Sequence, residues 1–72
     1  MDEKTRIQKD IDLFKSNLEE INKNNLVYNN KIVELATQYY NDSIYYLEKK
    51  DFFTAFGCIN YSHGLLDALI KF

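Results

Sequence analysis

The chain has 72 residues and a mass of 8.6 kDa, less than the roughly 100–200 residues of an average domain, so it holds one domain at most. Nine Lys and Arg against eleven Asp and Glu leave a formal charge of -2, too weak a field of either sign to grip a polyanion, and nucleic acid is not an expected partner. Hydrophobic residues at 46%, aromatics at 15%, no proline and two glycines exclude a disordered chain and argue against an all-β fold, which needs many turn signals. The single cysteine, Cys58, can form no disulfide within the chain and no zinc site alone, which suits a reducing cytoplasm. Met1 to Lys15 carries a charge every two or three residues, so no signal peptide is expected.

In chain order, Ile7, Ile11, Phe14, Leu18 and Ile21 alternate steps of four and three, the stripe of an amphipathic first helix over about residues 3–24. Its other faces carry Asp2/Arg6, Arg6/Asp10, Lys15/Glu19 and Glu19/Lys23 at four-residue spacing, the pattern of a solvated surface. Asparagines at 22, 24, 25, 29 and 30 compete with helical backbone bonds and place the first turn there. Ile32, Leu35, Ala36, Tyr39, Tyr40, Ser43, Ile44 and Leu47 then predict a second helix over about 28–49. Lys49 and Lys50 suit its negative end, and Asp51 is a good N-cap for a third helix. So short a link forces an antiparallel hairpin.

The third segment, about 51–71, has Phe52, Phe56, Ile59, His63, Leu66 and Ile70 along one stripe, with Ala55, Cys58, Ser62, Leu65 and Leu69 beside it. Its uncharged run, 52–66, is 15 residues long, against about 20 for a bilayer span. The expectation is the most buried helix rather than a membrane segment. Gly57 and Gly64 lie one heptad apart within it, each costing about 1 kcal/mol relative to alanine. Close approach of a neighbouring helix, or a ligand lying against bare backbone, would offset that. The fold class is all-α: an antiparallel up-and-down three-helix bundle, with residues 1–72 as one domain.

Candidate chemistry centres on His63, the one side chain that ordinarily titrates near neutral pH. It can line up with Asn60 and Asp67 on its own helix, and a satisfied core histidine bonded to a tyrosine hydroxyl or a carboxylate is the simplest account of it. Two ligands, His63 and Asp67, are too few for a closed metal site. Cys58 among aliphatic neighbours reads as an inert thiol. The adjacent tyrosines cannot all face inward, so Tyr45 or Tyr46 should be partly exposed, and amphipathic aromatics are enriched at interfaces.

One stretch is more specific than a general hairpin: Ala36-x-x-Tyr39-Tyr40-x-Asp42-x-x-Tyr45-Tyr46-Leu47-Glu48-Lys49-x-Asp51-Phe52-x-x-Ala55-Phe56, continuing to Tyr61-Ser62-His63-Gly64-x-Leu66-Asp67-Ala68. It resembles the archaeal domain-of-unknown-function family 357 over about the last half of the chain. The resemblance implies a compact three-helix bundle and no known reaction, and it marks Tyr61, His63 and Asp67 as a site candidate. In that family a glycine usually precedes the turn aspartate, where this chain has Lys50. That departure requires either a left-handed lysine or a different helix end. A looser likeness to tetratricopeptide hairpins covers one hairpin, too little for a solenoid. The helical HEPN domains are a further analogy, but the sole arginine, Arg6, lies far in sequence from His63, which counts against their RNase motif.

The reading is therefore a cytoplasmic, non-enzymatic protein-interaction domain with no cofactor, metal or catalytic residue, binding another protein or itself as a homodimer. Tyr45, Tyr46, Tyr61, His63 and Asp67 are the ligand- or partner-binding candidates. The alternative is a small-ligand or nucleotide-binding module that uses Tyr61, His63 and Asp67.

Overall fold

A computed structural model describes residues 2–23 and 30–70. They form α1 (Glu3–Lys23), α2 (Asn30–Glu48) and α3 (Phe52–Ile70). The all-α three-helix fold is the expected one, and the helix ends fall within one or two residues of the sequence reading. The asparagine-rich turn falls mostly on 24–29, which lie outside the described residues. No described helix is long and apolar enough to cross a membrane.

Local chemistry sets the helix ends. Asp2 caps α1, its Oδ1 accepting from the Thr5 amide at 2.8 Å. At the end of α2, Lys50 takes φ 64°, the left-handed conformation that the missing glycine makes a lysine adopt. Two bonds close that end: the Lys50 amide donates to the Leu47 carbonyl at 3.0 Å and the Asp51 amide to the Tyr46 carbonyl at 2.9 Å, the pairing of a Schellman cap. Asp51 then starts α3. Its Oδ1 accepts from the Thr54 amide at 3.2 Å, its Oδ2 from the Thr54 hydroxyl at 2.7 Å. One aspartate thus ends one helix and begins the next.

That turn reverses the chain, and the contacts far from it fix the register. The buried Ser62 hydroxyl donates to the Ala36 carbonyl at 2.6 Å, across 26 residues of sequence. A side chain as short as serine reaches a neighbouring backbone only if the helix axes run close, near the small end of the usual 8–10 Å. Ala36 and Ser43 on α2, and Ala55 and Ser62 on α3, are all fully buried and each pair is spaced by seven. In an antiparallel pairing set by Ala36 against Ser62, Ser43 falls opposite Ala55. Small residues therefore line a narrow α2/α3 seam.

The third helix, α1, lies over this hairpin and touches α3 more extensively than α2. Phe14, fully buried, stacks on Tyr40 of α2 at 4.9 Å between ring centroids and meets the His63 ring of α3 edge-on at 5.7 Å. Ile7 shares a groove with Phe52 and Phe56 near the start of α3, while Asp10 and Phe14 meet His63 further along, so α1 and α3 run in the same direction. Ile7, Ile11, Phe14 and Ile21 are buried, with Leu18 packed against them, the stripe expected from the periodicity.

Two expectations about α3 need correction. It is the helix that both others pack on, yet it is not enclosed: Ala55, Ile59, Ser62 and Leu66 point inward, while Phe53 is 90% and Phe56 45% exposed. Neither glycine lies at a close helix approach within the chain, since a Cβ added to Gly57 or Gly64 would meet nothing within 4 Å. The alanines and serines of the seam make that approach instead.

Both caps can be tested by substitution. Lys50→Gly should stabilise the fold by about 0.5–1 kcal/mol in denaturant unfolding, because glycine reaches positive φ without the Cβ clash; Lys50→Val should destabilise it. Hydrogen bonding from the Thr5 backbone, then its side chain, holds the Asp2 carboxyl below its ordinary range. A depressed folded-state pKa gives stability that is present above the unfolded-state value and lost as pH falls through the folded one. Asp2→Asn, which keeps a cap without a titrating group, should therefore flatten the acid limb of stability against pH.

Candidate functional site

The exposed side of α3 is unusual for a solvated helix. At 100° per residue, Phe53, Gly57, Asn60, Gly64 and Ala68 fall on one stripe opposite the buried Ala55, Ile59, Ser62 and Leu66, and every one of them is exposed. No charge interrupts 52–66, so the stripe is apolar or neutral for most of its length. Phe56 and Tyr61 flank it on opposite sides. An amphipathic helix would place charge here; α1 does so with Lys15 and Glu19.

Two concavities border the stripe. The larger, about 280 Å³, is lined by Glu3, Arg6 and Ile7 of α1 and by Phe52, Phe53 and Phe56 of α3. It is below the roughly 300–1,000 Å³ of sites that enclose small molecules, and half of its lining is phenylalanine. The second is a shallow hollow of about 190 Å³ between Tyr61, Gly64 and Leu65, open because glycine has no side chain there.

The sequence candidates separate into different places. Tyr61, 52% exposed, stacks on Tyr39 of α2 at 4.6 Å and borders the stripe. His63 turns the other way: its Nε2 donates to the Asp10 main-chain oxygen of α1 at 2.7 Å. A carbonyl only accepts, so this nitrogen carries the proton. The partner is a backbone carbonyl and not the tyrosine hydroxyl or carboxylate that sequence suggested. Asp67 is exposed, and neither it nor His63 lines either concavity. Tyr61 therefore points away from His63, while Asp67 lies one turn beyond His63 on the exposed edge of α3.

The tyrosine pair on α2 divides as its adjacency requires. Tyr45 is 54% exposed, with the Lys49 Nζ 5.5 Å from its ring centroid; Tyr46 packs against the core and meets Tyr45 edge-on at 5.1 Å. Cys58 is half-buried. Burial, and secondarily the charges of Asp42 and Asp51, push its thiol above the ordinary value, the opposite of what a nucleophile requires. Among the described residues no group of three or more His, Cys, Asp or Glu could hold a metal ion.

Phe53 was missed by the sequence reading, which ranked tyrosines as the exposed rings. One signal was present: a run without charge from 52 to 66, with Gly57, Asn60 and Gly64 on one stripe, has no charged side to turn outward. With His63 joining two helices, His63→Ala should cost about 1–3 kcal/mol in denaturant unfolding, and His63→Gln less if its amide regains the Asp10 carbonyl.

No curated protein matches the chain. The family model described as "protein of unknown function (DUF357)" matches residues 9–72, nearly the whole chain and not only its second half. With the bundle and its left-handed Lys50 turn, that match makes the chain a member of the domain-of-unknown-function family 357.

Proposed function

We propose that this domain is a non-enzymatic protein-interaction module whose working surface is the outward side of α3. The observation that carries the reading is Phe53, 90% exposed on a helix with no charge from 52 to 66. A scattered exposed leucine such as Leu13 is ordinary. Here Phe53, Phe56, Phe52 and Ile7 meet in one groove, and contiguous apolar surface of this kind marks interaction sites. Glu3 and Arg6 at its edge give it the polar rim usual around an apolar interface centre.

The small-ligand alternative has less support, because Tyr61 points away from His63, neither His63 nor Asp67 lines the groove, and the groove is below the usual volume of a small-molecule site. The enzyme alternative has less still: His63 is engaged by Asp10 and the Cys58 thiol is held protonated.

Placing a photoreactive phenylalanine analogue at position 53, and separately at Lys15 on the solvated side of α1, tests the reading in living cells. Protein adducts are expected from position 53 and not from position 15. No adducts from 53, or equal yields from both, would count against it.

A further inference from the structure

Resting on that reading, we infer that the occupant of the α3 face is a second copy of this chain, its α3 laid antiparallel across the first about a two-fold axis near residue 59. The face is complementary to itself. Phe53 projects almost fully into solvent, and eleven residues on, about 16 Å along the helix, Tyr61, Gly64 and Leu65 frame a hollow. An antiparallel copy centred near 59 sets each Phe53 into the other's hollow and each Tyr61 over the other's Gly57. Both matches form at once, as a closed isologous interface requires.

Charge agrees with the same register. Each Asp67 arrives beside the Lys49–Lys50 turn of the other copy, where both lysines are exposed and the Asp51 carboxylate is already held by Thr54. Area agrees as well. Phe53, Phe56 and Tyr61 expose 90%, 45% and 52% of their surface, on the order of 350–400 Å² per chain for rings of ordinary size. Covering them with Gly57, Asn60, Gly64 and Ala68 buries about 1,000 Å² in all, the lower limit for a specific interface and the size of a reversible one. The glycines then have a role the described residues do not give them, since none of those comes within 4 Å of either missing Cβ.

The test is sedimentation equilibrium on the whole chain from about 5 μM to 1 mM, with Phe53→Asp and Gly64→Leu variants and thermal unfolding of each at low concentration. The wild type should move from 8.6 kDa toward twice that, and both variants should weaken dimerisation at least tenfold. Gly64→Leu should meanwhile unfold several degrees higher as a monomer, because its side chain enters open space and removes a helix-weakening glycine, so that lost association cannot be confused with lost folding. A chain that stays monomeric at 1 mM, or a dimer indifferent to both substitutions, overturns the inference. If that monomer still gives adducts from position 53 with another protein, only the second-copy assignment falls; without adducts, the interaction reading falls with it.

Discussion

The α2/α3 seam is the constraint on which the rest of the molecule depends. Ala36, Ser43, Ala55 and Ser62 let two helices approach until a serine hydroxyl bonds the opposite backbone at 2.6 Å. Two helices that close leave little between them to bury, so the larger side chains lie in the valley above the seam. Ile59, Leu66, Tyr40 and Ile44 form its sides, and α1 fills it with Ile7, Ile11, Phe14 and Ile21. The lid is held by specific geometry as well as by area, because Phe14 touches a ring from each lower helix and His63 reaches the α1 backbone. A leucine at 36 or 62 would force the hairpin apart and disturb every one of these contacts.

Much of this was legible. The alternation of three and four on α1 identified its buried residues, and the role of Asp51 as an N-cap was evident from its place between two periodic segments. The left-handed Lys50 was foreseeable from a lysine standing where a turn of this shape takes glycine. Each of these is a local rule, in which a residue's own backbone preference or spacing determines the outcome. The position of Ser62 was also readable as an inward one, though not its partner.

The illegible part concerns pairing between elements. Periodicity assigns a side chain to a face of its own helix but does not say how many neighbours exist to cover that face. Helix α3 has apolar or neutral residues round most of its circumference, which in a larger protein means enclosure. The two other described helices leave one side of it open, and Phe53 and Phe56 emerge there. The same ambiguity affected the glycines: residues that permit close approach were assigned to the neighbour within the chain, when alanine and serine already met that need. For His63, the need for a partner was readable, but not that a main-chain carbonyl 53 residues away would supply it. Tyr61 was grouped with it by proximity in sequence, although positions two apart on a helix point to different sides.

A small domain makes the outward face of α3 harder to regard as incidental. A stability of about 5–15 kcal/mol is usual for a folded chain, and one this short stands toward the low end. Two exposed glycines together remove about 2 kcal/mol relative to alanine, and no contact among the described residues requires either of them. Alanine would fit at both positions, would favour the helix and would leave the seam, the valley and the caps unchanged. Exposed phenylalanine is similarly without benefit to the isolated chain, where a lysine at 53 would aid solubility. Features that weaken a monomer while shaping a single continuous surface are those expected of an interaction face, and on this chain they lie together on one stripe of one helix.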